Sequence, residues 1–369
     1  MQMKEIKVKN NKTNYSIFIG GNILHILSKK INLLCPKAQK IALVIDKKIP
    51  AIFSKKIKKN LKKYNLFIFE YTSNEKLKSF KNASLLTEKL LEKQFNRSDV
   101  LISLGGGVIG DFTAFVASIT KRGINFINVP STLLAQVDSS IGGKTGVNSK
   151  YGKNLIGSFY QPRLVVADVE LIKSLPSREI ICGYAEILKH AIILKKGFFK
   201  WLELNSNQLI FKRNLNFLQK AIYESCKIKL YFVNKDLNEK NIRMTLNFGH
   251  TFAHAIEAKS NFSNKLNHGE AVLIGMMMAT KLSYIKKVTS KKTLLDIENI
   301  YKKNKIKLKI TDYFSKKDFK EIVKFMINDK KNNDKKINLI LLKKIGKTTK
   351  PGNYKLSTQE INKTFPKLI

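Results

Sequence analysis

Arginine is scarce in this chain. Only six of its 69 basic residues are arginine (Arg97, Arg122, Arg163, Arg178, Arg213 and Arg243), so the planar guanidinium fork that phosphate-tracking grooves recruit is largely missing. Acidic residues are also few, 27 in all, which leaves a formal charge of +42. The lysines run the whole length, in KKIKKNLKK as in KKNNDKK, among many asparagines and isoleucines. That spread reads as drift toward A-rich codons, and it predicts weak nonspecific attraction to polyanions with no specific nucleic-acid partner. Cysteine is limited to Cys35, Cys182 and Cys226, too solitary for a disulfide framework or a thiolate metal site, so they read as reduced, buried small hydrophobes. No apolar run approaches the roughly 20 residues of a membrane span. The start, MQMKEIKVKN, lacks the apolar core of a secretory signal, and the expectation is a cytoplasmic chain with no membrane partner.

What is present suits two domains. At 369 residues with 43 % apolar content, the chain can fill more than one core. In the first half, short apolar runs bounded by polar or turn residues read as buried parallel strands: Ile41 to Asp46, Leu66 to Tyr71, Asp99 to Leu104, Ile124 to Val129 and Arg163 to Asp168. Lysine-rich helical stretches such as SLLTEKLLEKQF lie between them. The alternation predicts an α/β, Rossmann-like doubly wound sheet that binds ligands beyond the carboxyl ends of its strands. From about Leu175 the texture turns helical, in PSREIICGYAEILKHAIIL, RNLNFLQKAIYESCKIKLYFV and HGEAVLIGMMMATKLSYI, which predicts an all-α second domain. The expected division is 1–174 and 175–369, with the boundary anywhere between Val169 and Pro176.

Three stretches carry chemistry. DVLISLGGGVIGDFTAFVASI sets Gly105, Gly106, Gly107 and Gly110 after a strand and at the opening of an apolar helix, with Asp111 at the helix start. Glycines there let backbone N–H groups approach a pyrophosphate, although any tight strand-to-helix turn also favours glycine. Asp46, ending an earlier strand, is equally a candidate for a ribose hydroxyl and an ordinary strand-end cap. The polar connection Pro130 to Pro162 holds Asp138, Lys144, Lys153 and Asn154, and its separated lysines suggest an anionic ligand. Finally, LNFGHTFAHAIE places His250 and His254 one helical turn apart. His268 opens the next helix, and Glu186 lies on the apolar helix GYAEILKHAIIL. One glutamate and two histidines would suit a catalytic zinc site with an open position, leaving one histidine for proton transfer. Spacing does not say which histidine is spare.

The motifs GGGVIGD, KRGINFINVPSTLLAQVDSSIGGKTGVN, GKNLIGSFYQP, PSREIICGYAEILK, LNFGHTFAHAIE and HGEAV closely resemble those of the 3-dehydroquinate synthase family, over about Asp46 to Leu342. The resemblance implies an NAD-binding α/β domain joined to a helical zinc- or cobalt-binding domain, and a homodimer. It implies metal ligation by Glu186, His250 and His268, with His254 as the proton-transfer or hydrogen-bonding group beside the substrate. NAD would meet Asp46, the SNEKLK turn (Ser73, Asn74, Glu75, Lys76, Leu77, Lys78), GVIGD (Gly107, Val108, Ile109, Gly110, Asp111), Ser131, Thr132, Lys144, Lys153 and the segment Leu171, Ile172, Lys173, Ser174. Asp138, Asn154, Lys189, Lys229, Arg243 and Asn247 fall on substrate positions. Arg122 matches an arginine that reaches into the partner's site, and Lys331, with Lys330 beside it as the alternative, matches an anion-binding lysine. The implied substrate, 3-deoxy-D-arabino-heptulosonate 7-phosphate, carries a carboxylate and a phosphate and so needs several cations. The implied chemistry is transient alcohol oxidation, phosphate elimination, re-reduction, ring opening and aldol closure to 3-dehydroquinate, a step toward chorismate and the aromatic amino acids.

Three positions depart from the family pattern: Asn74 replaces a glycine, Ala253 replaces a glycine of the histidine motif, and an acidic pair is reduced to Asp236 followed by Leu237. None is an implied metal ligand. The expectation is an active enzyme of lowered stability, with a strained cofactor turn at Asn74 and a crowded helix contact at Ala253.

Overall fold

A computed structural model of the chain describes residues 2–10, 13–260, 265–306, 308–327 and 336–369. They form two compact units, Met1–Ile180 with Arg213–Leu230, and Ile181–Lys212 with Tyr231–Ile369. The second stretch of each unit returns after the other has begun, so the units are not two successive halves of the chain.

The first unit is built on a sheet that is seven-stranded among the described residues. In chain order its strands are β1 (Lys4–Asn10), β2 (Thr13–Gly20), β3 (Lys40–Asp46), β4 (Asn65–Tyr71), β5 (Val100–Gly105) and β6 (Asn125–Pro130). A separate hairpin follows, β7 (Lys144–Ser149) with β8 (Gly152–Phe159), before the chain rejoins the sheet as β9 (Leu164–Asp168). The order across the sheet is β1-β2-β9-β6-β5-β3-β4. All pairs are parallel except β1 with β2. Each expected strand is present. The central ones are buried on both faces, which is why they read as unbroken apolar runs.

Helices α1 (Leu27–Leu34), α2 (Ala51–Asn60), α3 (Phe80–Glu92) and α4 (Gly107–Ile119) cover the sheet. One core packs Leu27, Ile31 and Ile57 against Ile41, Leu43, Ile102 and Val166. The other packs Leu86, Leu90, Phe112 and Val116 against Ala42, Val44, Leu101 and Phe126. Strand β3 leads through α2 to β4 on one side, and β4 leads through α3 to β5 on the other. The direction of winding therefore reverses between β3 and β5, the kind of switch point where open α/β sheets hold ligands.

The second unit is mainly helical, as expected. It takes the later part of α5 (Ser177–Leu194), α6 (Lys196–Ile210), the end of α7 (Leu215–Lys235), α8 (His250–Lys259), α9 (His268–Ile285), α10 (Lys291–Lys303), α11 (Phe319–Ile327) and α12 (Thr358–Thr364). Beyond the helices expected from periodicity, it also contains short antiparallel pairs: β10 (Lys336–Asn338) with β13 (Lys355–Ser357), and β11 (Leu342–Lys344) with β12 (Lys347–Thr348). No helix among the described residues is long and apolar enough to cross a membrane.

Candidate active site

In the helical unit, close backbone approaches decide where the polar groups go. Gly249 caps α8 with a φ of +79°, a left-handed value that favours glycine, and so places His250 at the first helical position. A Cβ on Gly275 would lie 2.2 Å from the Gly249 carbonyl oxygen, so α8 and α9 meet where neither helix can carry a side chain. The first turn of α9 presses equally close on α5: a Cβ on Gly269 would lie 2.2 Å from the Cα of Cys182. A reciprocal capping box fixes the start of α9, with Asn267 Oδ1 accepting from the Glu270 N–H at 2.9 Å and Glu270 Oε2 accepting from the Asn267 N–H at 2.9 Å. His268 is therefore held at the first position of α9, over the turn of α5 that carries Glu186.

These constraints gather Glu186, His250 and His268, each offering a donor atom within 4.8 Å of the others. Glu186 is fully buried, and its Oε1 lies 3.5 Å from His250 Nε2 and 3.7 Å from His268 Nε2. Tetrahedral zinc with ligand bonds of roughly 2.1 Å sets its donors about 3.4 Å apart, so the set fits such an ion with little rearrangement. The other carboxylate oxygen of Glu186 pairs with Lys189 one turn along α5. Each imidazole has its second nitrogen engaged: His250 Nδ1 lies 3.3 Å from the Phe248 carbonyl, and His268 Nδ1 lies 3.2 Å from Glu257 Oε2. Burial works against the His268 imidazolium, yet Glu257 and Glu186 outweigh it and raise its pKa to about 10. The His254 ring stands perpendicular to that of His250, with centroids 5.3 Å apart.

Two further groups named from the sequence share the short helical turn Ile242–Asn247. Arg243 is buried, and its guanidinium donates to the Leu237 carbonyl at 2.6 Å. Asn247 donates to Glu239 Oε1 at 3.0 Å. Asp236 supports this turn: its carboxylate accepts from the N–H groups of Lys240, Asn241 and Arg243. Leucine at 237 contributes through its backbone, so the reduced acidic pair leaves Arg243 with a defined partner.

In the α/β unit, the sequence-named residues line up at the carboxyl ends of parallel strands. Asp46 ends β3, Ser73 to Lys78 follow β4, Gly107 to Asp111 follow β5, Ser131 and Thr132 follow β6, and Leu171 to Ser174 follow β9. The glycine turn has no room for side chains: a Cβ would meet Ile109 at 2.6 Å from Gly105 and Ser139 Oγ at 3.0 Å from Gly107. A pyrophosphate can therefore meet bare backbone and the first N–H groups of α4, which is the fit a dinucleotide needs. Asp46 does act as a cap, accepting from the Lys48 N–H at 3.1 Å. Leu171 and Ile172 are buried, whereas the Lys173 side chain is exposed and pairs with Glu170 at 2.9 Å.

A polar network joins the turn after β4 to the hairpin. Buried Lys78 donates to Asp111 Oδ2 and to Asn154 Oδ1, each at 2.6 Å. Burial raises the Asp111 pKa, and Lys78 offsets only part of that rise. Asn154 sits in the left-handed region at φ +54° and donates its N–H to Asn148 Oδ1. Lys153 lies 3.4 Å from Glu75. Lys144, which opens β7, is exposed. Asp138 pairs with Lys229 at 2.7 Å. Arg122 is exposed at φ +61°, next to Lys121 at φ +49°. Lys330 and Lys331 lie outside the described residues.

The sequence reading misses two residues that tie these groups together. Asn148 donates from its side chain to Glu75 Oε2 at 2.7 Å and from its backbone to the Lys78 carbonyl at 2.7 Å. It sits in the quoted GVN run, but nothing about its type marks it. Glu257, the acceptor for His268, follows His250 by two helical turns and shares its stripe on an apolar helix; that spacing is a usable signal.

Family models described as the N-terminal and C-terminal parts of 3-dehydroquinate synthase match residues 68–182 and 183–332. The 3-dehydroquinate synthase of Pelagibacter ubique (strain HTCC1062) is 48% identical over 360 residues, spanning 98% of this chain and 96% of that one. The chain belongs to the 3-dehydroquinate synthase family.

The 3-dehydroquinate synthase of Thermodesulfovibrio yellowstonii is 38% identical over 98% of this chain and 99% of its own. Among solved structures, a 2-deoxy-scyllo-inosose synthase complexed with carbaglucose-6-phosphate, NAD+ and Co2+ shares the fold at a TM-score of 0.86 and 23% identity, over 99% of this chain and 100% of that one. A 2-epi-5-epi-valiolone synthase from Streptomyces hygroscopicus with NAD+ and Zn2+ bound does so at 0.84 and 21%, over 98% of each. Among the departures from the 3-dehydroquinate synthase pattern, Asn74 causes little backbone strain. Asn74 lies outside the left-handed region and caps the Leu77 N–H at 3.1 Å. The strained turn expected at Asn74 is therefore not borne out. Ala253 is fully buried, and its backbone N lies where α8 meets Gly275 of α9.

Proposed function

We propose that this chain catalyses the family reaction as a carbon–oxygen lyase, converting 3-deoxy-D-arabino-heptulosonate 7-phosphate to 3-dehydroquinate and phosphate. The observation that carries the reading is the Glu186, His250 and His268 cluster in a chain that matches both parts of the family. When bound, NAD supplies a hydride acceptor that each turnover restores, and zinc or cobalt supplies a Lewis acid for adjacent hydroxyls.

The chain's own residues do the rest. Nucleotide binding falls to the α/β part, expected over 1–174, and metal and substrate binding to the helical part, expected over 175–369. The Gly105–Asp111 turn receives the pyrophosphate, Asp46 the ribose, and Ser73 to Lys78, Ser131, Thr132, Lys144, Lys153 and Leu171 to Ser174 complete the cofactor contacts. Glu186, His250 and His268 hold the metal. Lys189, Lys229 and Arg243 set positive charge against the carboxylate and phosphate of the substrate, and Asp138, Asn154 and Asn247 orient its hydroxyls. His254 moves a proton at the substrate without ligating metal. Arg122 and Lys331 are further anion contacts.

The chain acts as a homodimer in this reading. Exposed apolar side chains on β8 (Leu155, Ile156 and Phe159), with Phe80 and Ile119 on α3 and α4, support it. The test is product analysis: purified protein with the heptulosonate phosphate, zinc and NAD+ yields 3-dehydroquinate. A different carbocycle from a different sugar phosphate would show that the fold and cofactors serve another substrate.

A further inference from the structure

Resting on the metal-site reading, we infer that Glu257 is a positioning residue for the metal, acting through His268. His268 bridges two carboxylates: Nε2 lies 3.7 Å from Glu186 Oε1, and Nδ1 lies 3.2 Å from Glu257 Oε2. The Glu257 side chain is 12% exposed, on the apolar helix that begins with His250. An imidazole has one nitrogen to give a metal, and a hydrogen bond at the other decides which. Glu257 accepts from Nδ1, so Nε2, on the side of Glu186 and His250, is the nitrogen left to give its lone pair to a metal that displaces its proton. Negative charge behind Nδ1–H also strengthens Nε2 as a donor.

The two histidines differ in this respect. His250 is backed by the neutral carbonyl of Phe248 at 3.3 Å, whereas His268 is backed by a full negative charge. The difference has a structural reason. His250 is anchored by a helix that starts on Gly249 and packs against α9, while the His268 side chain is 30% exposed and its ring needs a partner to hold its orientation. Glu257 also adds a second negative charge beside a dication that Glu186 alone would half neutralise. It touches neither substrate nor metal in this arrangement. Its effect is on metal affinity and on ligand geometry.

The test uses the full-length metal-free protein and Co2+ alone, titrated against a chromophoric chelator while the visible absorption of the bound ion is recorded. Glu257→Gln keeps the size of the side chain and a hydrogen-bonding oxygen but removes the charge. It is expected to lower Co2+ affinity by about 10- to 100-fold and to shift the cobalt absorption. A structural role alone would move the melting temperature and leave the spectrum of the bound ion as in wild type. Wild-type affinity and spectrum in Glu257→Gln, with His250→Ala losing Co2+ in the same assay, would overturn the inference and leave the metal site standing. Wild-type affinity in His250→Ala would remove the metal-site reading and this inference with it.

Discussion

At the scale of single residues, the two histidines of one helix face differ in what lies next to them. His250 points Nε2 at Glu186, and His254 lies against the His250 ring. Glu186→Ala or His250→Ala is expected to abolish metal binding and activity together, while His254→Ala keeps its metal by direct metal analysis and loses turnover. A His254→Ala protein stripped of zinc would reverse the two roles. Asp236 makes a second prediction. Burial opposes its charge, but the N–H groups of Asn241, Lys240 and Arg243 more than offset this and lower its pKa. A carboxylate depressed in the folded state contributes stability above its unfolded value near ~3.9, and that contribution disappears as pH falls through the folded value. Asp236→Asn is therefore expected to lower stability by about 1 kcal/mol at neutral pH, with a gap in thermal melts that closes below pH ~3.9. A constant gap across that range would show that the carboxylate charge is irrelevant. The sequence discloses the histidines and Glu186 because polar residues on apolar helices stand out, a signal that Glu257 also carries on the stripe of His250; Asn148 does not stand out, since its importance lies in which groups it touches.

Among the elements, glycines set how closely helices approach, and so whether donors from different helices can meet. Gly269→Ala would force a Cβ against the backbone of α5, where overpacking costs about 1–3 kcal/mol. Both a lower melting temperature and weaker metal binding are expected, because His268 is the neighbouring residue. Ala253→Gly, which restores the family residue, should also destabilise, by about 1 kcal/mol, since a helix-interior glycine costs that much and no clash is relieved. A gain in melting temperature would show that the methyl is crowded after all. The central parallel strands are legible because both faces are buried, as in the run Ile41 to Ile45. The hairpin is not, because most of β8 is exposed and no inward-facing period marks it. The short strands after residue 336 are two or three residues each, too brief to show any alternation.

For the whole molecule, two features of the sequence point in different directions, and the fold separates them. A charge of +42 by itself suggests a nucleic-acid partner. The strand ends of the α/β unit instead suit a dinucleotide, and the donor cluster of the helical unit suits a metal. The surplus lysines should still raise the rate of capture of a doubly anionic sugar phosphate, so kcat/KM is expected to fall with added salt while kcat changes little. An unchanged kcat/KM would show that the surface charge plays no part in capture. The central claim is that oxidation is transient and the cofactor is restored within each turnover. The direct measurement follows phosphate release and NADH absorbance together in one reaction with zinc, the heptulosonate phosphate and far less NAD+ than substrate. Phosphate rising well beyond the NAD+ supplied, with no net NADH, is the predicted result. NADH accumulating in step with substrate consumed, and no phosphate released, would contradict it.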